Sequence, residues 1–288
     1  MSEIWQWTAT KLGEQTAEEH CTSLPVDPVA LARKLGIEVE PLPPDKKTVS
    51  GILVQAGTAF GIQYATYIDS PGFQNFCVAH ELGHYFLPEH PEKLLSGGFH
   101  QSHAGFSSSD RCEQEADHFA AGLLMPSFLF DPVMNKVQSG LKAIETLASQ
   151  CQTSLTATAI RYAQKTPDAV AVIISEGGRV HYTFMSDEMK GIKGLNWIRK
   201  ETPVPRDTVT HRFNQVKNNV LTGATAENNS GLTDWFGCDL PYELYEEVKG
   251  LGNYGKTLTV LSIDDLPDQE EIDEEEELQE SWTPRFRR

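Results

Sequence analysis

The sequence predicts an α+β protein built in at least two parts. Three observations carry this. A helix centred on residues 80–84 is followed by a second strong helical pattern over 110–125. Short alternations of apolar and polar residues over 37–69 read as strands lying between helices. At Asp168 the pattern turns from helical to strand-like and stays so, with interruptions, to residue 263. A chain of 288 residues is expected to hold one or two domains, and its 39% hydrophobic content supports a real core. The expected division is a motif-bearing domain over 1–130, a helical segment over 131–166, an α+β domain over 167–263 and a tail over 264–288.

Residues 2–21 read as a first helix and 25–36 as a second. In the second, Asp27 caps, Pro28 opens, Leu31, Ala32 and Leu35 face inward, and Gly36 closes. IEVEPL, SGILVQA and AFGIQYAT then form a small sheet beside the next helix. That helix starts at Ser70-Pro71, a serine able to cap and a proline whose missing N–H costs nothing at the first helical position. Phe73, Phe76, His80, His84 and Leu87 repeat at helical spacing, Cys77 broadens the stripe, and Pro88 ends it. Residues 88–109, rich in His, Ser and Gly, read as a loop. Asp110 can cap the helix running to Met125, and Pro126 stops it. Two further helical stretches, AIETLASQCQ and LTATAIRYAQ, flank Thr153-Ser154. AVAVIISEGGRVHYTFM reads as a hairpin turning at Glu176-Gly177-Gly178. After a polar middle over 186–232 come DWFGCDL, a short helix near PYELYEEVKG, and KTLTVLSI as a last strand.

The segment His80-Glu81-Leu82-Gly83-His84 carries the chemistry. Residues four apart share a helix face, so both imidazoles can bind one metal ion. Glu81 then stands beside the open coordination position, where it can take a proton from the attacking water. This is the minimal machinery of a zinc-dependent peptidase. The bland reading is a core helix with two satisfied histidines. Three polar groups at metal-site spacing on an otherwise apolar helix would be costly to bury without a metal. Gly83 is a poor helix former whose smallness suits close approach of a strand or a substrate.

A catalytic zinc takes about three protein ligands plus water. The helix over 110–125 offers two glutamates. Glu113 lines up with Ala116, Asp117, Ala120 and Leu124, a small-residue face that can approach the motif helix closely. It also puts Asp117 one turn on, where a carboxylate can accept the second N–H of a ligating histidine. Glu113 is the preferred ligand, with a capping-box role beside Asp110 as its plainer reading. Glu115, aligned with Phe119, Gly122 and Leu123, is the fallback.

These blocks resemble the ImmA/IrrE-type metallopeptidases. The resemblance runs through Pro25-Val26-Asp27-Pro28 with LARKLGIEV, Gly51, FCVAHELGHYFL and EQEADHFAAGLLMP, and so covers the first half of the chain; the departure lies in 88–109. It implies a zincin-like zinc metallopeptidase domain over 1–130, with His80, His84 and Glu113 as zinc ligands and Glu81 as catalytic acid/base. It further implies a cytoplasmic protease whose substrate is a protein, typically a helix-turn-helix repressor encoded nearby. Cleavage of that repressor switches genes on after DNA damage or another stress. The domain over 167–263 is then expected to be sensory, and a small-molecule inducer or nucleic acid is a possible further partner.

Composition bounds the rest. The N-terminus lacks the basic and apolar regions of a signal peptide, and no apolar run approaches membrane-spanning length. The five cysteines (Cys21, Cys77, Cys112, Cys151, Cys238) are scattered, as expected of reduced thiols in cytoplasm. Residues 264–288 hold eleven acids and three arginines, a net −8 out of −17 for the chain. This reads as a solvated tail, with Trp282, Pro284 and Phe286 resembling a docking segment. The helical pair over 143–164 has helix-turn-helix spacing. Its second helix offers only Arg161 and the adjoining Lys165 as bases, so a plain hairpin packed on the domain is the preferred reading. His90, His100, His103, His118, His181 and His211, with Tyr64, Tyr67 and Tyr85, are candidates for an accessory role among which the sequence does not choose. Cys112 adjoins Glu113 and can be imagined capping the metal, but adjacent helical residues do not share a face, and an ordinary small residue is the plainer reading. A non-enzymatic regulator with a structural zinc is the rival from another class. Glu81 argues against it, since a structural site has no use for a general base.

Overall fold

The computed structural model describes residues 2–46, 49–103, 110–238, 240 and 242–263. The acidic tail, with Trp282 and Phe286, lies outside the described residues. The chain divides into two compact units, Met1–Lys165 and Thr166–Arg288. The helical segment over 131–165 belongs to the first of these.

The first unit contains helices α1 (Ser2–His20) and α2 (Pro28–Lys34), strands β1 (Glu38–Pro41), β2 (Gly51–Ala56) and β3 (Ala59–Tyr64), and helix α3 (Pro71–Phe86). It continues with α4 (His90–Leu94), β4 (Phe99–Ser102), α5 (Arg111–Leu124), α6 (Ser127–Met134), α7 (Leu141–Cys151) and α8 (Leu155–Lys165). Asp27 caps α2 through Ala30 N and Asp110 caps α5 through Cys112 N, as their positions predict. Ser70 stands at the N-cap of α3, but its hydroxyl makes no capping bond, so Pro71 alone marks that start. The stretch expected as a loop over 88–109 contains α4 and β4. β4 pairs antiparallel with β2 and ends the four-stranded sheet, whose order is β1-β3-β2-β4.

Three glycines let the helices close on one another. A Cβ on Gly13 would lie 2.2 Å from the Phe119 carbonyl, and one on Gly122 2.1 Å from the Thr10 carbonyl, so α1 and α5 pack backbone to backbone. A Cβ on Gly83 would lie 3.0 Å from Ala116 Cα. The close neighbour of Gly83 is therefore helix α5, not the strand or substrate expected from the sequence. Residues 77–84 of α3 are all buried, because α5 covers one side and the sheet another.

The second unit holds β5 (Ala169–Glu176), β6 (Arg179–Met185), α9 (Asp187–Gly191), α10 (Val209–Asn214), α11 (Lys217–Thr222), β7 (Thr225–Ser230), α12 (Leu232–Phe236), β8 (Leu244–Gly250) and β9 (Lys256–Ile263). Its strands form one antiparallel sheet in the order β6-β5-β9-β8-β7. β5 is buried along almost its whole length, as a central strand of continuous apolar residues should be. The helix expected near PYELYEEVKG is instead strand β8. Leu244, Glu246, Val248 and Gly250 alternate inward there. Glu246 hid this alternation, because a carboxylate does not read as an inward residue. It is fully buried and accepts from Val209 N (3.0 Å), Thr210 N (2.7 Å) and Trp235 Nε1 (3.3 Å). Those donors satisfy it and tie α10 and α12 to the sheet.

Candidate metal centre

Helix α3 brings His80 and His84 one turn apart on the face that meets α5, and α5 brings Glu113 to them. The ligand atoms of these three residues all lie within 4.8 Å of one another. His80 Nε2 and His84 Nε2 are 3.1 Å apart, and Glu113 lies 3.5 Å from the first and 3.2 Å from the second. A tetrahedral zinc with bonds of about 2.0–2.1 Å would separate its ligand atoms by about 3.3 Å. Two imidazole nitrogens and a carboxylate oxygen at those spacings are a donor set that fits zinc. Glu115 points elsewhere, to His90 and Arg111.

The outer partners are also in place. His80 Nδ1 is 2.8 Å from Asp117 Oδ1, the contact expected from their spacing on α5 and α3. Glu81, on the same turn as His80, is fully buried, and neither of its carboxyl oxygens has a hydrogen-bond partner among the described residues. Ser102, at the end of β4, has a buried hydroxyl that forms no well-shaped hydrogen bond either, yet it stands near enough to Glu81 to favour the carboxylate. A carboxyl group with no polar partner is costly inside a protein unless chemistry requires it there. Gly51 makes room for it, since a Cβ at that position would lie 2.1 Å from Glu81 Oε1.

Part of the chain is similar to a known protein family. Residues 32–162 match the family model of the M78 peptidases, described as the IrrE N-terminal-like domain. The chain carries an IrrE-like domain. A solved structure of a Mycobacterium tuberculosis transcriptional regulator superposes with a TM-score of 0.56 at 14% identity, covering 90% of this chain and 76% of that one. That likeness is one of fold. No curated protein matches the chain.

The IrrE-like domain gathers more histidines at its centre than the sequence singles out. His100, on β4, reaches Glu113 Oε1 at 2.8 Å, and its ring is 4.8 Å from that of His84. His90, opening α4, touches His84 Nδ1 at 3.0 Å. Both come from the stretch expected as a loop, where no periodicity marks a side for them. His118 packs edge-on against Trp5, and His181 and His211 belong to the second unit. Tyr85 packs edge-on against Phe60 and Tyr67 against Phe73. Cys112 falls in a group with His90 and Glu115, apart from His80, His84 and Glu113.

Charge in the cluster follows from burial and pairing. Burial opposes a charge on His80, yet Asp117 and Glu113 outweigh it and push the imidazole up to about 10. Burial, helped by charge on His80, pushes His84 down to about 3. Glu113 is partly buried, but His100, His80 and His84 hold it well below the usual carboxylate range. Burial pushes Glu81 up to about 7 against the pull of His80. Glu113 is thus kept ionised while burial leaves Glu81 the group poised to exchange a proton near neutrality.

No helix among the described residues is long and apolar enough to cross a membrane. In the helical pair α7–α8, Arg161 is 5% exposed and bound to Glu14 of α1 and to the Met125 carbonyl. The internal base counted toward a nucleic-acid footprint is therefore spent inside the domain.

Proposed function

We propose that this chain is a zinc-dependent endopeptidase that cleaves a helix-turn-helix transcriptional repressor and so induces stress or defence genes, in the cytoplasm. The observation that carries the reading is Glu81, fully buried and without a well-shaped hydrogen bond beside a convergent His80, His84 and Glu113. A structural zinc site would have no use for it, which sets aside the rival reading of a non-enzymatic regulator. The protein substrate and its link to transcription rest on the family resemblance, and the fold-level likeness to a transcriptional regulator accords with them.

In this mechanism His80, His84 and Glu113 hold the metal, and Asp117 orients His80. A zinc ion there would polarise the scissile carbonyl and acidify water. Glu81 takes the proton of the attacking water and delivers it to the leaving amine. The outer edge of β4 has no strand partner among the described residues, and His100 on that strand reaches Glu113. An extended substrate can pair with that edge and pass its scissile bond over the centre. The second unit contributes no residue to either candidate metal group among the described residues, and we read it as the sensory part that receives the inducing signal.

Two measurements test the reading. Elemental analysis of Glu113→Ala protein should show zinc largely lost from a chain that otherwise carries one equivalent. Retention of full zinc by that variant would remove Glu113 from the ligand set. Gly51→Ala should still fold, since its new methyl group meets the side chain of Glu81 and not backbone, at a cost of about 1–3 kcal/mol because that side chain is fully buried. It should nevertheless lower cleavage by about 100-fold, because Glu81 must leave its position. Normal cleavage by this variant would show that Glu81 does not need that place.

A further inference from the structure

His90 is 2% exposed, and its ring stands between a member of the metal cluster and a carboxylate. Its Nδ1 lies 3.0 Å from His84 Nδ1, and its Nε2 lies 2.9 Å from Glu115 Oε2. The other oxygen of Glu115 accepts from Arg111 Nε at 2.9 Å. The protons along this row can be assigned in turn. An ionised carboxylate only accepts, so His90 donates from Nε2. A neutral His90 then has a bare Nδ1, which can only accept. The proton shared with His84 must therefore sit on His84 Nδ1. His84 Nε2 is left with its lone pair, and this is the atom that faces His80 and Glu113 at 3.1 and 3.2 Å.

We propose that His90 and Glu115 are positioning residues: a carboxylate–imidazole relay that fixes His84 in the tautomer able to bind zinc. The proposal rests on the zinc centre argued above. His80 receives the same service directly from Asp117. His84 makes its Nδ1 contact with another imidazole, so His90 extends the reach of Glu115 to it. An outer partner of this kind is worth about 10–100-fold in metal affinity.

The same residues offer a competing use. The ligand atoms of His90, Cys112 and Glu115 lie within 4.8 Å of one another, a spacing that would admit a second cation. A cation on His90 Nε2 would drive the ring proton to Nδ1. It would then meet the Nδ1 proton of a zinc-bound His84 across 3.0 Å, two donors facing each other. The relay and a second cation are mutually exclusive while His84 holds zinc through Nε2, and the His84–His90 contact favours the relay.

The test uses the full chain with zinc as the only probe. Zinc affinity is measured by chelator competition for wild type, His90→Phe, His90→Asn, Glu115→Ala and Cys112→Ala, and the tautomers by ¹⁵N NMR of the zinc-loaded wild type. His90→Phe and Glu115→Ala should each weaken binding by about 10–100-fold. His90→Asn should recover most of the loss, because its Oδ1 can accept where Nδ1 does. Cys112→Ala should bind one zinc as wild type does. NMR should show His84 protonated on Nδ1 and His90 on Nε2. Wild-type affinity in His90→Phe, no recovery in His90→Asn, or the opposite tautomers would overturn the relay. So would a second zinc per chain that Cys112→Ala loses. Should His90→Phe fail to fold, His90→Asn and the wild-type spectrum decide. A wild-type chain that binds no zinc at all would instead sink the metal centre itself.

Discussion

Glu81→Gln is expected to fold, to bind zinc with near wild-type affinity, and to lose cleavage by about 10²–10⁴-fold. The two side chains are nearly isosteric, and the Ser102 hydroxyl that favours the Glu81 carboxylate can donate to the amide oxygen as well. An uncharged amide is also no harder to bury than the carboxyl group it replaces. What the amide lacks is a site for the proton of the attacking water. The substrate need not be identified first. New protein N-termini are compared in cells expressing wild type or the variant, before and after stress. Cleavages dependent on wild type should be missing with Glu81→Gln, and a helix-turn-helix repressor should be among the proteins cut. An identical set of new termini from both would rule out Glu81 as the acid/base.

The convergence of the candidate metal ligands is legible in the sequence because it is written in local spacing. His80 and His84 need only a helix to converge, and Glu113 and Asp117 need only the next helix to present its small face. Gly83 and Ala116 supply that close approach. Gly51 falls within a block shared with the family, but its role is hidden, because its neighbour Glu81 is thirty residues away in the chain. Nothing in the sequence sets His90 and His100 apart from the other histidines. Their places depend on α4 and β4, short elements of five and four residues with too little pattern to be read. Strand β8 reads as a helix for a related reason. A buried Glu246 is inward-facing only because α10 and Trp235 supply its donors, and no alternation of apolar residues records that.

The pair Glu14–Arg161 gives the second large expected effect. Arg161 of α8 is almost fully buried, and its guanidinium pairs with Glu14 of α1 while its Nε donates to the Met125 carbonyl at 3.1 Å. Ser127 Oγ also donates to Glu14, at 2.5 Å, so one carboxylate joins α1, α6 and α8. Glu14→Ala would leave a buried guanidinium without its counter-charge, at a cost of about 3 kcal/mol. For a unit of this size that lowers the melting temperature by roughly 6–12 °C. The double variant Glu14→Ala/Arg161→Met should recover most of the loss, because the penalty belongs to the unpaired charge and not to the missing contact. Acidity provides a separate check. Burial pushes the Glu14 carboxyl up, but the Ser127 hydroxyl and Arg161 outweigh it, and the net shift is downward from 4.5. A carboxylate whose folded value is depressed stabilises fully above its unfolded value and loses that contribution as pH falls through the folded one. The gap in melting temperature between wild type and Glu14→Gln should therefore be widest at neutral pH and should narrow once the pH drops below about 4.5. Lys165, at the end of α8, also leans toward Glu14, at 4.0 Å. Both bases that a nucleic-acid footprint on this hairpin would need are thus drawn to one partly buried carboxylate, and their work is to hold α8 onto the domain that carries the candidate metal centre. A Glu14→Ala chain that melts as wild type does would break this account of how α8 is held.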